Sequence, residues 1–168
     1  MITPAYVRVM AAYNAEMNRR IYAAASRLSD EARRAERGLF WGSIHGTLNH
    51  LLWGDRQWMS RFAGWPKPEV GLKQSAALID SFSELAAARV AADAALQDWA
   101  ETVAADWLQA EQTWFSGAAG REMRQGRPIL VTHLFNHQTH HRGQVHAALT
   151  ACGERTGDTD LFLLITDG

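Results

Sequence analysis

Apolar residues recur at spacings of three and four over two long stretches of the chain. Between Trp41 and Phe62 they are Ile44, Leu48, Leu51, Trp58 and Phe62. Beyond Pro128 they are Leu130, Leu134, Val145 and Ala148, and His137 and His141 fill the gaps in the same stripe. That period puts one apolar face on an α-helix, so each stretch is expected to be a helix with one side in a core. Two further helices announce themselves by their starts. Thr3-Pro4 is an N-cap followed by proline at the first helical position, and alanine, methionine, arginine and glutamate carry that helix to about Leu28. Ser81 and Glu84 form an S-x-x-E capping box before an alanine-rich run that reaches about Val103.

The segments between these helices carry breakers. Ser29 is placed to cap a short helical turn, DEARR, which Gly38 ends, and AGWPKPEVGLK over 63–73 is a loop with two prolines and two glycines. Residues 105–127 lose the helical period and contain SGAAG and QGRP, the pattern of a loop with a short β-hairpin around Gly117–Gly120. Gly153 stands where a left-handed residue closes the fourth helix, and DLFLLIT over 160–166 is expected to pack back as one or two helical turns. Four long helices predict an all-α fold, a four-helix bundle. The connection between the second and third is longer than antiparallel neighbours need, which predicts a crossover leaving those two parallel.

Composition narrows the function classes. The 168 residues are 47% hydrophobic and 21% charged, as in a folded soluble protein, and the length suits one domain over 1–168. Lys and Arg number 17 against 18 Asp and Glu, with no basic stripe, so nucleic acid is not an expected partner. The first twenty residues lack the basic and apolar regions of a secretory signal. The apolar stretch 39–54 is too short and too polar to span a bilayer. No membrane association and a cytoplasmic location are therefore expected; the single cysteine, Cys152, agrees with a reducing compartment. The seven tryptophans read as core and interface residues, although Trp41, Trp53 and Trp58 bracket His50 and one of them is placed to wall a pocket.

The candidate chemistry is concentrated in FNHQTHHRGQVH, residues 135–146, with four histidines in twelve positions. His137 and His141 interrupt an apolar seam at the i, i+4 spacing by which a helix offers two nitrogens to one metal. Gln138 stands where metalloproteases of the H-E-x-x-H type place their general base, so protease chemistry is not expected. His133 and His137 share the spacing, and His140 adds a further imidazole, so spacing alone does not choose the pair; the apolar stripe favours 137 with 141. A third ligand has to come from another element. His45, His50, His146 and Asp55 all qualify. His50 has Gly46 and Gly54 one turn to either side, which lets a second backbone come near.

These blocks carry a resemblance. GSIHGTLNHLLWGDR (42–56), HLFNHQTHHRGQ (133–144) and the closing DTDL (158–161) are similar in order and spacing to the DinB family of bacterial proteins, over nearly the whole chain. The resemblance implies a four-helix bundle of up-down-down-up connection, a homodimer, and a divalent metal held by three histidines. Carried over by position, the ligands are His50, His137 and His141, with none on His45, His133, His140 or His146. Such a donor set suits Zn²⁺ or Ni²⁺ and leaves a coordination position open. Asn49, Asn136 and Arg142, with Gln138 and Thr139, are candidates to orient the imidazoles; Arg142 is alternatively placed to steer an anionic substrate. The expected function is that of a metal-dependent enzyme acting on a small electrophilic substrate. It proceeds by S-transfer from a low-molecular-weight thiol such as mycothiol or bacillithiol, or by hydrolysis. The competing expectation is a non-catalytic metal-binding stress-response protein whose site staples the helices.

Overall fold

The computed structural model of the protein describes residues 1–117 and 119–164. Helix α1 (Pro4–Ser26) starts as its sequence dictates: Thr3 Oγ1 accepts from the Tyr6 N–H at 3.2 Å and Pro4 occupies the first turn. Ser29 caps α2 (Asp30–Arg34) in the same way. Helix α3 (Ile44–Phe62) begins three residues later than Trp41, because Ser43 Oγ caps it through the Gly46 N–H at 3.0 Å. The preceding residues turn instead, with Gly38 and Gly42 at φ of 67° and 76° and a bridge between Leu39 and Gly42.

After the loop, a 3₁₀ turn covers Leu72–Ala77, and Ser81 then caps α4 (Phe82–Thr102). A short helix α5 (Ala105–Gln109) stands where the sequence suggested loop, ahead of the hairpin of β1 (Glu111–Ser116) and β2 (Arg121–Gly126). The strands pair antiparallel with Trp114 opposite Met123, the short hairpin expected around Gly117–Gly120, so the protein is mostly helical with one small two-stranded sheet. Helix α6 (Arg127–Ala151) has Pro128 in its first turn and is followed by Gly153 at φ 83°. Of the run 160–166, Leu161–Leu164 form the single turn α7, and 165–166 lie outside the described residues.

The long helices pack chiefly as α1 on α4 and α6, and α3 on α6 and α4. Two apolar clusters hold them. One gathers Val7 and Ala11 with Met59 and Phe62, Leu96 and Trp99, and Leu130 and Leu134. The other gathers Ile21 and Ala25 with Ile44 and Leu48, Leu85, and Val145 and Leu149. The first cluster thus takes the start of α1 and α6 and the end of α3 and α4; the second takes the reverse. Burying each of the larger side chains among them, Val, Leu, Ile, Met or Phe, contributes about 1.5–3 kcal/mol. Between the clusters lies a layer of buried polar residues, among them Asn14, Asn18, His50, Asp55, Arg89 and Asp93. No helix among the described residues is long and apolar enough to cross a membrane.

Candidate metal centre

Helices α3 and α6 approach closely where Gly54 faces His137. A β-carbon on Gly54 would sit 2.8 Å from His137 Cε1, so the missing side chain is what lets the imidazole lie against the α3 backbone. His50, one turn before Gly54, faces the same space. His137 and His141, one turn apart on α6, complete it. The ring centroids are 5.0 Å apart for His50 and His137, 4.8 Å for His50 and His141, and 4.6 Å for His137 and His141. One ring nitrogen from each lies within 4.8 Å of the others, and His50 Nε2 is 3.0 Å from His137 Nε2.

The far sides of two rings are anchored. Gln144 Oε1 lies 2.8 Å from His141 Nδ1; an amide oxygen only accepts, so Nδ1 carries the proton and Nε2 keeps its lone pair. Ser75 Oγ lies 2.9 Å from His50 Nδ1, and when it accepts, His50 Nε2 is likewise bare. Trp41 stacks on His50 with centroids 4.0 Å apart and planes inclined by 22°, and Trp53 lies near-parallel at 5.9 Å. These indoles keep water from the ring. Burial pushes His50 down to about 3, aided by His137 and His141, and His137 down to about 4. His141 is lowered by burial too. All three are neutral at physiological pH, the form in which an imidazole ligates.

The arrangement fits a divalent ion. His137 Nδ1 is buried without a partner, and two neutral imidazole nitrogens 3.0 Å apart share at most one hydrogen bond. In either tautomer of His137 buried ring nitrogens stay unpaired, which is costly, and a borderline cation between three neutral imidazoles is the group that satisfies them.

The other candidates point elsewhere. His45 Nε2 donates to the Ile79 carbonyl at 3.2 Å, His133 packs on Trp58 at 5.2 Å, and His146 Nδ1 bonds Thr156 Oγ1 at 2.7 Å. His140 and Thr139 are exposed. Among the proposed orienting residues, Asn49 bonds the His45 carbonyl and the Ile79 N–H, Asn136 is exposed, and Arg142 bonds Asn14 and Thr139. The partners of the imidazoles are Ser75 and Gln144 instead. Trp58 belongs to the aromatic group around Phe62, Trp114 and His133 rather than to the wall over His50.

Asp55, considered as a ligand, is the centre of a buried ion pair. Arg89 Nη1 donates to its Oδ2 at 2.6 Å and Gln138 Nε2 to its Oδ1 at 2.9 Å. Arg89 also reaches Asp93 at 2.8 Å, and Asn14 and Asn18 donate to the same carboxylate. Despite its burial, Arg89 is held above its ordinary pKa by Asp93 and Asp55. This network braces all four long helices around the triad. Its signal was in the sequence, since Leu85, Arg89, Ala92 and Leu96 form one stripe that Arg89 interrupts as His137 interrupts its own.

A comparison with curated proteins finds no match. The model of the DinB family matches residues 1–166, so the triad sits in a chain that this family describes almost from end to end, and the protein belongs to the DinB family.

Proposed function

We propose that the protein is a metal-dependent enzyme that holds Zn²⁺ or Ni²⁺ on His50, His137 and His141 and acts on a small electrophilic substrate. The carrying observation is the convergence of three neutral imidazoles, all within 4.8 Å of one another. Of the side chains able to close the coordination, Asp55 is engaged by Arg89 and His45 by the Ile79 carbonyl, while His133 and His140 are exposed and stand outside the three-histidine group. A site with three protein ligands and an open position is the mark of catalysis rather than of a structural staple. The ion supplies Lewis acidity that makes water or a thiol nucleophilic at neutral pH.

Of the two reaction types, S-transfer from a low-molecular-weight thiol such as mycothiol or bacillithiol is preferred to hydrolysis by metal-activated water, because the wall beside His50 is apolar. Trp41 and Trp53 supply an apolar wall beside His50 for the electrophile. The same reading takes residues 1–168 as one up-down-down-up four-helix bundle, homodimeric and cytoplasmic. The up-down-down-up connection is supported by the opposite polarity with which α1 and α6, against α3 and α4, enter the two apolar clusters; homodimer and location rest on the family resemblance and on composition.

The test is loss of a chlorodinitrobenzene electrophile by zinc- or nickel-loaded protein with each thiol, beside nitrophenyl ester hydrolysis without thiol. Thiol-dependent turnover that His50→Ala abolishes is expected. Neither activity at full metal occupancy, together with a large fall in melting temperature on chelation, would make the ion a structural staple.

A further inference from the structure

On the side of α6 that faces α1 lies a pocket of about 260 Å³, closed on its third side by the segment 156–159. Tyr13 holds that segment through the Thr159 carbonyl at 2.6 Å and Arg20 through the Asp158 carbonyl at 3.1 Å. Asp158 and Thr159 open the DTDL block (158–161), for which the metal site has no use.

Arg142 lines the pocket, only 5% exposed. It makes no ion pair among the described residues. Its guanidinium donates to two neutral oxygens, Asn14 Oδ1 and Thr139 Oγ1, which leaves three of its five N–H groups. The carboxylates of the buried layer, Asp55 and Asp93, are both taken by Arg89. A guanidinium removed from water without a carboxylate or phosphate partner is costly. None of the described residues lining the pocket is Asp or Glu, and Arg20, the other arginine there, is neutralised by Glu16 at 2.6 Å.

Gly143 lines the same pocket. Glycine is the least favourable helix residue after proline, and nothing local demands it here. Its φ is not positive, and a β-carbon would meet nothing within 4 Å. Gly46 and Gly54 differ, since a β-carbon on either would collide with backbone or with His137. What the absent side chain of Gly143 leaves is open space beside Arg142.

The geometry points to a second binding site, for a small organic anion: a carboxylate or phosphate head on Arg142 and the Thr139 hydroxyl, with a short apolar body against Met17 and Ile21. A planar guanidinium fork suits either head group. The pocket, about 260 Å³, is at the lower end of small-molecule sites, which suits a ligand of small size. The site lies across α6 from the histidine triad and does not depend on a metal.

The test is calorimetric titration of inorganic phosphate and of butyrate into metal-free and zinc-loaded protein, with chloride at matched ionic strength as control. Saturable binding of either probe is expected in both forms, and the probe that binds assigns the head group. At Gly143 a β-carbon meets nothing within 4 Å, so Gly143→Leu, which removes a helix-interior glycine and adds bulk at the pocket wall, is expected to fold and to weaken binding about tenfold or more. Arg142→Lys, which keeps the charge and loses the fork, is expected to weaken it similarly. Absence of binding by both probes overturns the inference. So does binding that Gly143→Leu leaves unchanged, or binding seen only with zinc present, which places the anion at the triad.

Discussion

Replacing Gly54 by alanine separates the site from the fold. The new β-carbon would stand 2.8 Å from His137 Cε1 and 3.3 Å from Nδ1, where ordinary contact begins at 3.4 Å, so the ring has to retreat by about 0.6 Å. Metal–nitrogen distances tolerate roughly 0.2 Å, so the shifted His137 leaves the triad a poor three-point donor. Displacing one of three ligands that far is expected to weaken zinc binding about 10–100-fold, the range seen when the support of a ligand is lost. The fold responds in the opposite direction. Glycine to alanine inside a helix stabilises by roughly 1 kcal/mol, and the clash falls on one imidazole rather than on packed backbone. Zinc competition against a chromophoric chelator, beside thermal melting of the metal-free protein, reads both. Weaker zinc binding at an equal or higher melting temperature is expected. Wild-type affinity in Gly54→Ala would refute the claim that this glycine seats His137 as a ligand.

Three further outcomes follow from the same contacts. Ser75→Ala removes the hydroxyl beside His50 Nδ1 and is expected to lower zinc affinity about 10-fold or more with little change in melting temperature; an unchanged affinity in the chelator assay counts against Ser75 as an orienting group. Arg89→Met strands Asp55 and Asp93 without their cation and is expected to cost about 3–5 kcal/mol in urea denaturation, so a loss below about 1 kcal/mol contradicts the bracing role. In the metal-free protein His50 and His137 titrate near 3 and 4, below the ordinary 6.5 of the unfolded chain, because burial opposes their charge. The unfolded chain therefore binds more protons in this window. Stability is full above about pH 6.5 and falls toward pH 4 by up to about 1.4 kcal/mol per pH unit for each histidine. A melting temperature flat from pH 7 to pH 5 would speak against both as buried neutral groups.

Periodicity and caps made most of the fold legible, because Thr3, Ser29 and Ser81 act locally and their hydroxyls accept from N–H groups three residues on. The start of α3 was not legible, since the Leu39–Gly42 turn overrides an apolar pattern that continues through it. His137 and His141 were visible as imidazoles on an apolar stripe. Choosing His50 over His45 needed either the resemblance or the tertiary contact at Gly54, because wheel geometry leaves both near the face. Ser75 carried no signal at all: a serine in a short 3₁₀ turn gains its role only when the chain folds it under α3. The Arg89–Asp93 spacing was present in the alanine-rich helix, but pairing with Asp55 joins positions 34 residues apart, and no local pattern encodes that.

The central claim is that the three imidazoles form one metal site, and the most direct test is metal content by plasma mass spectrometry. Untagged wild-type protein is compared with His50→Ala, His137→Ala and His141→Ala, and with His133→Ala, whose ring packs on Trp58 instead. The prediction is about one equivalent of divalent metal in wild type and His133→Ala, lost in the other three. Wild-type protein that carries no metal and takes up neither Zn²⁺ nor Ni²⁺ would contradict it, leaving the triad as a buried polar seam between α3 and α6.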